Sequence, residues 1–127
     1  MASSTYRLFA EAMAQRKQIL CVYGGYKREL CAVVLGGSDG REVAVTFQFA
    51  GESTRRLPAG GQWRCLFLSG VSEVRLREGA WYAGSSHDRP QSCVKEVDLD
   101  VNPDGLYRPR RRLSAPRTAP RKQNRLR

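Results

Sequence analysis

The sequence predicts a mainly β protein: one N-terminal α-helix, then a small, strongly bent antiparallel sheet or barrel, then a disordered basic tail. Three observations lead there. Apolar residues alternate with period two in short runs after residue 18, and glycine-rich breaks punctuate those runs. Strands do not alternate with long helices and nothing repeats at a fixed period, which argues against a doubly wound α/β sheet. Charge is segregated, with nine of the ten net positive charges in the last 20 of 127 residues.

The chain therefore divides into a body, residues 1–107, and a tail, residues 108–127. The body holds thirteen Lys and Arg against twelve Asp and Glu, while the tail holds eight Arg and one Lys with no acid. A body of this size suits one domain with one modest core.

Residues 5–18 read as the helix. Ser3, Ser4 or Thr5 suits the N-cap, and Phe9, Ala12, Met13 and Arg16 follow the rhythm of one helical face. Residues 19–23 begin the β pattern and end at Gly24-Gly25, a hairpin turn signal. Residues 26–35 return as a strand and stop at a second turn, residues 36–40. Residues 41–49 form the clearest strand, with Val43, Val45, Phe47 and Phe49 opposing Glu42, Ala44, Thr46 and Gln48. A loop over residues 50–61 follows, exposing Arg55 and Arg56. Residues 62–68 make a strand with Trp63, Cys65 and Phe67 on one face, and residues 71–76 make another strand or a single turn. After a polar loop over residues 84–91, residues 93–101 close the body.

Most sites of chemistry are poorly represented. The single histidine, His87, sits in a loop beside Ser85, Ser86 and Asp88, and neighbours in a loop rarely converge as a triad, so no catalytic residue is assigned and a non-enzymatic role is expected. Cys21, Cys31, Cys65 and Cys93 form no Cys-x-x-Cys pair, so they read as reduced, buried hydrophobes rather than zinc ligands. Asp98, Asp100, Asn102 and Asp104 have calcium-loop spacing, but Pro103 and Pro109 stand where the loop needs Gly and Glu. No phosphate-cradling glycine loop occurs, and no metal or cofactor is expected. No stretch reaches the ~20 apolar residues that cross a bilayer. The N-terminus shows no secretory signal pattern, so a cytoplasmic location is expected, with no membrane partner.

The order of elements resembles the WYL domain, in particular its small bacterial members that stand alone. The likeness runs over about residues 12–76: AMAQRKQILCVYGGY at the helix end and first strand, Lys27-Arg28-Glu29 to Gly36-Gly37, Val43 to Phe49, Gln62-Trp63-Arg64 and Val71. The resemblance implies an Sm-like or SH3-like β-barrel. It also implies a regulatory or accessory binding module for nucleic acid or an anionic ligand, and it carries over Tyr23, Trp63 and Arg64 as site positions. Family members place further arginines where this chain has Phe67, Ser69 and Gly70, leaving Arg64 as the nearby cation.

Binding has compositional support as well. Tyr23, Tyr26, Trp63, Trp81 and Tyr82 offer flat faces for bases, and Arg28, Arg41, Arg55, Arg56 and Arg64 offer charge for phosphates. The tail adds Arg108, Arg110, Arg111, Arg112, Arg117, Arg121, Lys122, Arg125 and Arg127, interleaved with Pro109, Pro116 and Pro120. Such a segment attracts polyanions through counterion release. The competing reading is a protein-interaction or oligomerisation barrel that uses exposed strand edges.

Overall fold

The computed structural model describes residues 2–52, 61–82 and 93–101. The order is α1 (Ser4–Gln15), β1 (Gln18–Tyr23), β2 (Tyr26–Ser38), β3 (Arg41–Gly51), β4 (Gln62–Phe67), a 3-10 turn (Leu68–Gly70), β5 (Val71–Arg77) and β6 (Glu96–Asp100). The fold is mainly β, with one N-terminal helix on a six-stranded antiparallel sheet.

Ser3 caps α1, its Oγ accepting from the Tyr6 N–H at 3.0 Å. Tyr6, Phe9, Ala12 and Met13 form the buried stripe. The helix ends at Gln15, three residues before the expected end, because Arg16 turns left-handed at φ 53° and its N–H bonds back to the last turn. Arg16 is therefore a cap and not a member of the packed face. Gln18 opens β1 instead, buried, with its Nε2 donating to Ala80 O at 2.6 Å.

Gly24 and Gly25 both take positive φ, 63° and 83°, and close the β1–β2 hairpin as expected. The second turn is displaced. β2 continues through Gly36, Gly37 and Ser38, and the chain reverses at Asp39 and Gly40, whose φ values are 54° and 80°. Gly36 serves closeness instead of turning: a Cβ there would lie 1.9 Å from Glu96 O, where β6 crosses.

The ladder runs β4-β3-β2-β1-β5, with β6 also on β2. Along one edge β2 pairs with β3 over nearly its whole length; along the other it pairs with β1 and then, from Val34 to Gly37, with β6. In a flat sheet four interstrand steps would hold β4 and β5 about 19 Å apart. The chain from Phe67 to Val71 spans at most about 14 Å, so the sheet must curl. No ladder joins β4 to β5 among the described residues, so the sheet is curled but not closed into the expected barrel.

Both faces of the sheet are packed. The inner face buries Ile19, Cys21, Leu30, Ala32, Leu35, Ala44 and Leu66 under α1. The outer face gathers Val33, Val34, Val43, Val45, Val94 and Val97, flanked by Trp63, Cys65, Phe67, Trp81 and Cys93. A register shift between Ala32 and Val34 lets Ala32 and Leu35 both face inward. The two opposing rows of β3 are thus both buried, as its alternation could not reveal.

The cysteine expectation is corrected. Cys21 and Cys31 are free and buried, but Cys65 and Cys93 form a disulfide across 28 positions, Cα to Cα 6.4 Å. Cys65 points outward from β4, and the segment entering β6 lies over that same outer face. Sequence spacing speaks to ligands presented by one turn, whereas this pair is made by strands that meet through the fold. The His87 loop, Arg55, Arg56, Asn102, Asp104 and the tail lie outside the described residues.

Gly36→Ala should force β6 off β2. The expected loss is about 1–3 kcal/mol of unfolding free energy, read from the urea midpoint, with faster amide exchange in Glu96–Asp100 than in β1.

Candidate functional site

The inner row of β3 explains its own polar residues. Glu42 accepts from the Ser3 N–H at 3.0 Å and so holds the start of α1. Ala44 is small enough to lie within the main core beside Phe9 and Leu66. Thr46 Oγ1 donates to Arg64 O at 3.1 Å. Gln48, fully buried, donates through Nε2 to Ala50 O and Glu52 O at 3.1 and 3.0 Å, which fixes its amide and turns Oε1 toward Arg28.

Arg28 enters from β2, directly opposite Cys21, and is 6 % exposed. Its Nη1 donates to Gln48 Oε1 at 3.0 Å and its Nε to Tyr23 O at 3.2 Å. The guanidinium carbon lies 5.3 Å from the Tyr23 ring centroid and 5.9 Å from that of Tyr26. Every one of these partners is neutral. Burial pushes the neighbouring Cys21 thiol up to about 11, although the charge of Arg28 pulls the other way.

Arg64 comes from β4, opposite Thr46 and hence on the same inner face. Its Nε and Nη2 are buried with no hydrogen-bond partner. Those two N–H groups form the edge of a guanidinium that receives a carboxylate or phosphate bidentately. Burial first, and the like charge of Arg28 second, lower the Arg64 pKa from its ordinary value. The two cations therefore face the same inner side, Arg28 buried and Arg64 half-buried, and no described carboxylate bonds to either guanidinium. Each buried unpaired donor costs about 1–3 kcal/mol, a cost that an incoming oxyanion would remove.

The sequence-assigned positions are thus partly gathered. Tyr23 and Arg64 share Arg28 as a neighbour, and the Tyr23 hydroxyl accepts from the Phe67 N–H at 3.4 Å. Trp63 does not join them. It alternates to the outer face and packs edge-on against Phe47, ring centroids 5.3 Å apart. The tail cations lie outside the described residues. Arg28 was visible in the sequence only as one cation among several; the signal that singles it out is its place opposite Cys21 in a β-hairpin whose inner face is apolar.

Other groups are less suited. A cleft of about 710 Å³ beside β1 and β5 reaches Arg28 and Cys21 and is lined by Lys27, Arg75 and Arg77 but also by Glu29, Glu52 and Glu73, and Glu29 is already bonded to Arg77 at 2.8 Å. Asp98 accepts from the Tyr6 hydroxyl and ties β6 to α1. No group of three or more His, Cys, Asp or Glu able to hold a metal occurs among the described residues. None of the described helices is long and apolar enough to cross a membrane.

The two arginines should separate by mutation. Arg64→Met should raise unfolding free energy by about 1–3 kcal/mol, because it removes unpaired buried donors. Arg28→Met should lower it by about 2 kcal/mol or more, because it strands Gln48 Oε1 and Tyr23 O. Chemical denaturation of both variants at low phosphate checks this. No family model, curated protein or solved structure matches this chain.

Proposed function

We propose that the chain is a non-enzymatic binding module that takes an oxyanion on the unpartnered edge of Arg64. The observation that carries this is the pair of buried Arg64 donors facing the same interior as the buried, neutrally bonded Arg28. Arg28 has spent its Nε and Nη1 on Tyr23 and Gln48, so it acts as a fixed charge that raises the local potential. Arg64 is the hand that grips. A desolvated site strengthens such charge-assisted bonds relative to water.

The ligand is a carboxylate or phosphate group, and a phosphate of nucleic acid is the version that also engages the tail. With its nine cations and no acid, the tail contributes affinity that falls with salt. The finer assignments belong to the same proposal: a curled sheet of the Sm-like or SH3-like barrel kind, a WYL-like module, a regulatory or accessory role and a cytoplasmic location. A second reading, assembly with other chains, has its own support. β4 and β5 each have one edge outside any ladder among the described residues.

Fluorescence anisotropy of a labelled single-stranded oligonucleotide tests the division of labour. Changing the nine tail cations to Gln in the full chain should flatten the dependence of affinity on salt. Arg64→Gln in that background should weaken the remaining binding roughly tenfold or more, the effect of one charge-assisted pair. Binding that survives both changes intact would remove Arg64 and the tail from the function. A sedimentation mass above 14.3 kDa that rises with concentration would favour assembly instead.

A further inference from the structure

The Cys65–Cys93 disulfide lies where it can govern the anion site. Cys65 is the residue after Arg64 on β4, so the Cys65 side chain points outward while Arg64 faces inward. β4 pairs only with β3 among the described residues, and it is joined to β5 by a three-residue turn. The segment to which it is bonded is anchored separately, on β2 and not on β3. β6 is laddered to β2, Asp98 bonds to Tyr6, Lys95 bonds to Asp39 at 3.1 Å, and the Lys95 N–H donates to Gly37 O at 2.9 Å. The bond thus fastens an edge strand, across the outer face of β3, to a segment held by a different strand, β2.

The four cysteines differ in access. Cys65 and Cys93 are each partly exposed, whereas Cys21 and Cys31 are buried. Burial raises the pKa of both free thiols, Cys21 to about 11, so neither supplies a thiolate to exchange with the bond at neutral pH. The disulfide is then a single isolated couple, open to outside thiols. Disulfides in a reducing cytoplasm are mostly transient and redox-sensing, which is how this bond fits the proposed location.

Resting on the reading of Arg64 as the anion-binding residue, we infer that the Cys65–Cys93 bond is a redox control of that site: oxidised, it holds β4 and the Arg64 guanidinium in register beside Arg28; reduced, it releases them. The exchange balances with a small thiol as reductant. Two small thiols are oxidised to one small disulfide, the Cys65–Cys93 S–S bond breaks, and Cys65 and Cys93 each take up one electron and one proton to become thiols. The small disulfide drives the reverse. Apolar contact of Val94 and Val97 with the outer face persists on reduction, so the effect is a weakening of binding and not an unfolding.

Inorganic pyrophosphate titrated into the full chain tests this, followed by the NMR signal of the Arg64 Nε–H and by calorimetry, with and without dithiothreitol. The expected result is at least fivefold weaker binding after reduction, with the Arg64 signal shifted in the ligand-free reduced protein. The double variant Cys65→Ser/Cys93→Ser should give the reduced value in both conditions. Equal affinity before and after reduction overturns the control while leaving the anion site standing. Absence of pyrophosphate binding in both states overturns the control together with the site. Amide exchange separates the remaining case: faster exchange confined to β4 supports release, whereas loss of protection throughout β1 and β2 makes the bond a general staple and overturns its role as a switch.

Discussion

The three-residue link from β4 to β5 is the constraint on which the rest depends. These strands stand at opposite ends of the ladder order, yet only Leu68–Gly70 lies between them. The sheet can satisfy both only by curling, and curling creates an inside. The β2 strand makes this possible, because it is long enough to serve β1 and β6 in turn on one edge while β3 follows it on the other. Its register shifts let the inner row stay continuous through the bend. Without that interior, Arg28 and Arg64 would be ordinary solvated cations.

Within the curl, polarity is graded. At the helix end, Phe9, Ile19, Leu35 and Ala44 pack without polar atoms. Toward the other end the same face carries Thr46, Gln48, Arg28 and Arg64. Burial there is tolerated for Arg28 because neutral oxygens and two aromatic faces surround it. Arg64 receives no such support at Nε and Nη2. Proteins keep a locally unfavourable group mainly where it serves something other than stability. The two neighbours thus differ: one cation is settled and one is not.

Much of the fold was legible. The period-two runs located β1 to β5 within a few residues, the Gly24-Gly25 turn was read correctly, and the helix was misjudged only at its C-terminus. The errors share a cause. Gly36 read as a turn because glycine permits one, but its reason is the carbonyl of Glu96, 60 positions away and invisible to local pattern. Cys65 and Cys93 read as reduced because spacing carries no information on which strands will meet. Trp63 and Arg64 were taken as joint site positions, yet adjacent residues of a strand must face opposite ways, so Arg64 could turn inward only if Trp63 turned out.

By itself the sequence determined the composition of the parts: a helix with a cap, strands whose faces alternate, glycine turns, a nearly neutral body and a cationic tail. These follow from short-range sterics, hydrophobic periodicity and charge count, all of which act within a few residues. Only the tertiary structure decided which cations lose their water, which cysteines join and which face of β3 carries the polar interior. Those outcomes depend on contacts between segments far apart in the chain, and such contacts exist only once the sheet has curled.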